Sequence, residues 1–361
     1  MAGPLRQSAA GSAQRWCAVA SLRGVGQVWG LGAAVGGLEQ ARGVLQCGRG
    51  RHLHKRVLVT GGAGFIGSHL VDALVARGYR VAVVDNLSTG RRENVPSGVD
   101  FHAVDVGDAL HLNEVFEEFR PQVVFHLAAQ TSVRRSTGDP AGDAATNVVG
   151  SINVLEASVR TGVEKVVYAS SGGAIYGEPD GLPVREDHPV RPLSPYGLSK
   201  YVGELYLRLY RDNHGLRYSI LRYPNVYGPR QDPYGEAGVV AIFSRVLLAG
   251  DRPVIFGDGR QTRDYVYVAD VVEASLLCLE RGDGGVYNLG WGREVSVLEL
   301  LAGLQRVLGT RVQPRYDPPR PGEVRHICLD SSRAREELGW LPTTPLAEGL
   351  RLTAAWVARA G

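Results

Sequence analysis

The sequence predicts an α/β fold, a doubly wound parallel sheet with a smaller C-terminal part interleaved with it, and three observations carry that prediction. From Lys55 onward, short Val-rich runs alternate with amphipathic stretches of helical period, the alternation that βαβ units produce. Runs such as Val123-Val124-Phe125 and Lys165-Val166-Val167-Tyr168 are apolar without a break, as strands covered on both faces must be. A glycine-rich turn, Thr60-Gly61-Gly62-Ala63-Gly64-Phe65-Ile66-Gly67, stands directly between the first run and a helical stretch, where a parallel sheet places its phosphate-binding backbone.

In chain order, strands are expected from Arg56 to Thr60, Tyr79 to Asp85, Val99 to Val104, Gln122 to Leu127, Glu164 to Ser171 and Arg217 to Tyr223. The glycine-rich turn opens a helix through Ser68-His69-Leu70-Val71, and Pro192-Leu193-Ser194-Pro195 marks a second helix start just ahead of Tyr196. Residues 54–223 therefore form the sheet domain. Beyond it Pro224, Pro229, Pro233, Pro253, Pro314, Pro318, Pro319 and Pro321 cut the chain into short pieces. A smaller substrate-binding part, residues 224–361, is expected there, interleaved with the last elements of the sheet domain. Residues 1–53 differ: they are rich in Gly, Ala, Ser and Arg, hold Glu39 as their one acid and show no period. They read as a disordered leader outside the fold, an over-extended start in preference to an Arg-rich transit peptide. Lysine occurs only at Lys55, Lys165 and Lys200, a usage that fits a GC-rich genome and a bacterial cytoplasm.

Composition narrows the function classes. With 361 residues, 44% hydrophobic and 21% charged, the chain can bury a large core. Its net charge of +3 is small and its arginines are scattered, which argues against a nucleic-acid partner. Cys17, Cys47, Cys278 and Cys328 form no CxxC pair, and the nine histidines form no HExxH spacing, so neither a disulfide framework nor a metal is expected. No apolar run approaches the roughly 18 residues that span a membrane.

The glycine-rich turn points to a dinucleotide. Gly62 and Gly64 let backbone approach a pyrophosphate, and Gly67 lets helix pack on strand. Asp85, about 20 residues on, is placed to take both ribose hydroxyls of NAD and to repel a 2′-phosphate, although Arg91 and Arg92 follow closely enough to keep NADP in view. Asp105 closes the third strand, where it can accept from the adenine amino group. Leu127-Ala128-Ala129 offers small residues under the nicotinamide end. Tyr196 and Lys200 are four apart on one helix face, so an ammonium can sit beside a phenol. A free tyrosine titrates near ~10, and lowering it to neutrality corresponds to about 4 kcal/mol favouring phenolate. Lys200 and a nicotinamide cation are the expected sources.

The segments TGGAGFIGSHL, VVDNLSTG, HLAAQTSV, SSGGAIYG, SPYGLSK, LRYPNVYGP and GDGRQTRDYVYVADV resemble those of the extended short-chain dehydrogenase/reductases, and among these the NAD-dependent epimerase/dehydratases, in particular the UDP-hexose 4-epimerases. The resemblance runs from Lys55 to the C-terminus. It implies a Rossmann-type domain, tightly held NAD, a homodimer, and an isomerase acting at C4 of a UDP-hexose through a transient 4-keto sugar. It further implies a cofactor site of Gly61, Gly62, Gly64, Phe65, Ile66, Gly67, Asp85, Asn86, Asp105, Val106, Leu127, Ala128, Ala129, Asn147, Tyr196, Lys200 and Tyr223.

By the same resemblance Tyr196 is the base, Lys200 lowers its pKa and holds the nicotinamide ribose, and a Ser or Thr hydroxyl assists. Gly172 stands where many relatives carry that hydroxyl, so Ser171 is the candidate here, as catalytic and substrate-binding group. Asn225 and Arg263 are assigned to the diphosphate, Arg320 to phosphate, Glu323 to the uridine ribose, and Gly238, Val239 and Val240 to the uridine pocket. Pro224 replaces an aromatic of better-known relatives. Ile327 stands where some relatives carry a bulky Tyr, which implies tolerance of 2-N-acetyl sugars. Related dehydratases and decarboxylases place acids before the Tyr-Gly turn, whereas Gly173-Ala174-Ile175 has none. Two alternatives stay open: a 4-epimerase of UDP-N-acetylglucosamine, UDP-glucuronate or UDP-xylose, and a non-catalytic NAD-binding subunit.

Overall fold

Strand β1 (Arg56–Thr60) lies inside a seven-stranded sheet whose neighbouring strands all run parallel. β2 (Arg80–Val84) and β3 (Asp100–His102) extend it on one side, and β4 (Val123–His126), β5 (Lys165–Ser171) and β6 (Arg217–Tyr223) on the other. The chain then leaves the sheet for β7 (Asn225–Tyr227), β8 (Val254–Phe256), β9 (Thr262–Arg263) and β10 (Tyr265–Tyr267), and returns as β11 (Gly285–Asn288). β11 pairs with β6 and completes the order β11-β6-β5-β4-β1-β2-β3. β12 (Val295–Ser296) and β13 (Arg315–Asp317) close small pairs with β9 and β8, as β10 does with β7. The computed structural model describes residues 55–234, 238–319 and 324–360. The leader expected over residues 1–53 lies outside them.

Both faces of the sheet are buried, which is why its strands read as unbroken apolar runs. Alternate residues point to opposite faces. Val57 and Val59, in register with Val81 and Val83 of β2, pack under Leu70, Val71 and Leu74 of the Phe65–Ala76 helix. Val268, Val271 and Val272 of the Val268–Leu277 helix join the same cluster. Leu58, Val124 and Val166 face the other way, onto Leu112 and Phe116 of the Ala109–Phe119 helix, Val154 and Leu155 of the Gly150–Thr161 helix and Leu207 of the Pro195–His214 helix. Each such side chain contributes about 1.5–3 kcal/mol on burial. A separate cluster joins Val240, Phe243 and Leu247 to Leu300, Leu301, Leu304 and Leu350 in the C-terminal part.

β1 and β6 span the residues expected, β2, β4 and β5 are a residue or two shorter, and β3 loses most: Val99 and Val104 both fall outside it. β11 is a strand the pattern does not predict, since its four residues Gly-Val-Tyr-Asn follow a glycine-rich turn and show no period. Among the described residues no helix is long and apolar enough to cross a membrane.

Candidate active site

A cleft of about 2000 Å³ runs along the C-terminal ends of the strands, the edge at which open parallel sheets bind ligands. Its first wall is the turn after β1. Gly61 takes φ +71°, and a Cβ there would come within 2.7 Å of the Ala128 nitrogen. A Cβ on Gly67 would land on the Gly61 carbonyl oxygen. The Phe65–Ala76 helix starts at Gly64 with no side-chain cap and no acid in its first turn, so its leading N–H groups are left for an anion. Gly61, Gly64, Phe65, Ile66 and Gly67 line the cleft. Gly62 does not: it is buried, and a Cβ there would meet Val83 at 2.8 Å. Its glycine serves packing on the sheet, which corrects the expectation that it approaches a pyrophosphate.

Asp85 follows β2 and is 7% exposed. Its Oδ2 accepts from the Ala63 N–H at 2.9 Å and its Oδ1 from the Leu87 N–H at 2.8 Å, so the carboxylate ties the glycine turn to the next loop while facing the cleft. Asn86 and Asp105 also line it, joined by a 2.6 Å bond from Asn86 Nδ2 to Asp105 Oδ2. Val106, Leu127, Ala128 and Ala129 continue the wall. Arg91 lines the cleft as well, whereas Arg92 stacks over Phe101 at 4.7 Å and donates to the Val95 carbonyl. A carboxylate at the ribose position, with one of the two arginines turned away, fits NAD. Asn147 sits beneath the wall rather than in it: 2% exposed, it bonds the Gln130 backbone, Asp143 and Ser199.

The reacting groups meet midway along the cleft. Ser194 caps the Pro195–His214 helix by accepting from the Gly197 N–H, with Pro195 in the first turn, as the Ser-Pro pair predicts. Tyr196 follows, half-buried, and Lys200 one turn later is 4% exposed with its Nζ 4.4 Å from the centre of the Tyr168 ring. Ser171, the last residue of β5, lines the cleft close enough to the Tyr196 phenol to pull its pKa down. At Gly172 a Cβ would strike the Leu329 side chain, so this backbone presents its hydroxyl one residue earlier. Tyr223 closes this stretch with its ring, its OH turned to Ser275 at 3.3 Å.

Burial sets the electrostatics of the pair. Burial pushes the Tyr196 phenol up; the Ser171 hydroxyl works against this and Asp143 adds to it, while Lys200 is not among the causes. Burial pulls Lys200 down to about 7, opposed by Glu204 and Asp143. Burial thus dominates both partners in the protein alone, raising the phenol and lowering the ammonium. Behind the pair lies a buried network that sequence reading missed. Arg222 forks onto Glu204 at 2.9 and 2.7 Å, Ser170 donates to Glu204 at 2.6 Å, and Arg222 Nη1 donates to the Tyr176 OH at 2.6 Å. Two signals were available: Glu204 stands one turn beyond Lys200, and Arg222 interrupts an apolar strand.

On the far side Asn225, Arg263, Val239 and Val240 line the cleft. Arg263 Nη1 donates to the Thr262 carbonyl at 2.8 Å. Gly238, at φ +104°, starts the helix that carries Val239 and Val240. Asp264 next door is 1% exposed and accepts from the N–H groups of Trp291, Gly292 and Leu329 at 3.0–3.2 Å. Pro224 lines the cleft. Ile327 is instead buried in a cluster with Ile175, Tyr176 and Leu329 and does not line it, so the structure gives no support to the expected N-acetyl tolerance. Arg320 and Glu323 lie outside the described residues.

Comparison with known proteins agrees with this geometry. The model of the NAD dependent epimerase/dehydratase family matches residues 57–290. A UDP-glucose 4-epimerase of Mycolicibacterium smegmatis is 51% identical over 304 residues, covering 82% of this chain and 97% of that protein. The structure of a UDP-glucose 4-epimerase from Thermotoga maritima, solved with UDP-glucose, is 50% identical with a TM-score of 0.84 and covers 84% of this chain and 99% of that one. A UDP-glucose 4-epimerase from Thermus thermophilus, solved with NAD, is 48% identical with a TM-score of 0.82 and covers 85% of this chain and 100% of the other.

Proposed function

The chain belongs to the NAD dependent epimerase/dehydratase family, and we propose that it is an NAD-dependent isomerase interconverting UDP-glucose and UDP-galactose at C4 through a transient 4-keto sugar. The observation that carries this reading is the meeting of Ser171, Tyr196 and Lys200 in one cleft beside a Gly173-Ala174-Ile175 turn that holds no acid. Such a site can move a proton at a hydroxyl but has nothing there to protonate a leaving hydroxyl, as an elimination requires.

Bound NAD supplies the acceptor for the C4 hydride and the donor that returns it. Tyr196 takes the proton of the 4-hydroxyl and gives it back once the other face of the sugar is presented. Ser171, beside that phenol, holds the sugar oxygen in line. Lys200 supplies positive charge one turn along. Because the sugar must turn over between the two transfers, grip belongs on the UDP. Arg263 and Asn225 take the diphosphate and Val239 and Val240 the uracil, with Arg320 and Glu323 assigned by resemblance to phosphate and ribose. Residues 54–223 act as the NAD-binding domain and 224–361 mainly as the substrate-binding one.

The reading extends to a cytoplasmic homodimer. Leu198, Leu205 and Leu209 are exposed along one face of the Pro195–His214 helix, and Val149 is exposed on the helix of the neighbouring segment, an apolar stripe suited to a second copy.

The test is conversion of UDP-galactose to UDP-glucose by purified full chain without added NAD, beside Tyr196→Phe. Conversion that vanishes in the variant supports the reaction, the retained cofactor and the base together. Retained NAD with no conversion of either sugar overturns the substrate assignment.

A further inference from the structure

One buried acid beside the reacting pair takes no part in the chemistry above. Asp143, on the short Pro140–Ala144 helix, is 2% exposed. Its Oδ1 accepts from Gln130 Nε2 at 2.8 Å and from Asn147 Nδ2 at 3.1 Å, while its Oδ2 has no hydrogen-bond partner. No ion pair among the described residues includes it. Asn147 Nδ2 also reaches Ser199 Oγ at 3.1 Å, and Ser199 donates to the Tyr196 carbonyl at 3.0 Å. Asp143 is thereby wired to the first turn of the catalytic helix. A buried carboxylate with an idle oxygen is costly, and such costs collect at functional sites.

We propose that Asp143 is a positioning residue of the acid/base site: a buried carboxylate with no cation of its own, whose charge keeps the Lys200 ammonium charged beside Tyr196. The proposal rests on the assignment of Tyr196 and Lys200 as the reacting pair. The other groups facing Lys200 are already compensated or neutral. Glu204, on the same helix, is paired with Arg222 from β6. Tyr168 of β5 lies with its ring toward the ammonium and is held neutral by burial. His126 of β4, bonded to Thr60 and Ser151, is pulled down to about 3 by burial and is uncharged near neutrality. Among these groups Asp143 is the acid left without an ion pair, its Oδ2 buried and unpartnered. Its field acts on both partners in one sense, since it raises Tyr196 and raises Lys200. Removing it must therefore move both titrations toward acid.

The sequence makes this directly measurable, because the chain holds three lysines, Lys55, Lys165 and Lys200. Titration of the full holoenzyme labelled with ¹³Cε-lysine reads Lys200 without turnover, with Lys200→Arg assigning its resonance. In Asp143→Asn the Lys200 midpoint is expected to fall by about one pH unit, the scale of one charge several ångström away at an effective dielectric of ~20. Lys165, paired with Asp283 at a distance from the site, is expected to stay put. The pH profile of epimerisation should shift toward acid on both limbs, with KM for UDP-galactose unchanged. An unmoved Lys200 midpoint, or a uniform fall in kcat with no displacement of the profile, would overturn the proposal. Ser199→Ala cuts the hydrogen-bond chain but keeps the charge; a midpoint displaced as far as in Asp143→Asn would overturn it too. Where Asp143→Asn does not fold, Asp143→Ser puts the same question. Failure of wild type to convert UDP-sugars would count against the proposed function, whereas the lysine titration judges Asp143 by itself.

Discussion

The nucleotide end of the cleft is made of backbone, and the reacting end of buried charge. At the first, Gly61 and Gly67 bring main chain close, an uncapped helix start offers N–H groups, and Asp85 pins the turn through Ala63 and Leu87. At the second, Lys200, Glu204, Arg222 and Asp143 lie almost entirely out of water. Backbone donors hold their charge state at any pH, so the first end is a fixed socket. Buried charges depend on their neighbours, so the second is tunable and fragile.

That contrast can be broken most forcefully by two variants read together. Tyr196→Phe should lower kcat by about 10³–10⁴, at the upper end of what a positioned acid/base group contributes, while NAD stays bound. Gly67→Ala should do the reverse: its methyl collides with the Gly61 carbonyl, so NAD should be lost from the purified protein and be only poorly restored by added cofactor. Absorbance and mass analysis of the denatured supernatant read both. If Gly67→Ala retained full NAD, the socket would not be the rigid backbone described.

Next in size is the buried ion pair. Glu204→Gln leaves Arg222 charged and without its carboxylate, which costs about 3–5 kcal/mol when a buried pair loses one partner. Denaturant unfolding should show it as a lowered midpoint, and a loss below about 1 kcal/mol would mean that the Tyr176 OH and the Glu186 carbonyl, to both of which Arg222 Nη1 also donates, suffice for Arg222.

A smaller effect sharpens the pH side of the comparison. Burial holds the Asp264 carboxyl up at about 6, from its ordinary 3.8. The folded chain thus binds this proton more tightly than the unfolded one, so the stabilisation is present below about pH 4 and is lost as pH rises through 6. The change is about 2–3 kcal/mol at most. In Asp264→Asn that dependence should disappear from unfolding curves taken between pH 4 and 7; an unaltered slope would assign it elsewhere.

The same contrast decides what could be read from the sequence. The turn from Thr60 to Gly67, Asp85 and the Tyr196–Lys200 spacing are short-range features of single βα units, so local pattern exposed them. Gly62 was misassigned because a motif does not say which glycine faces the ligand and which faces Val83. Spacing brings Lys200 beside Tyr196 but does not reveal how strongly burial acts on both groups. Asp143 and Arg222 went unnoticed as site residues because their meaning depends on strands and helices far apart in sequence. β11 was missed because four residues after a glycine-rich turn show no period, although they complete the sheet.

The central claim is that hydride leaves C4 and returns to it within one protein molecule. UDP-galactose carrying deuterium at C4, incubated with the purified chain without added NAD, tests this most directly. The account predicts UDP-glucose with the deuterium still at C4. Product with solvent hydrogen at C4 would contradict it.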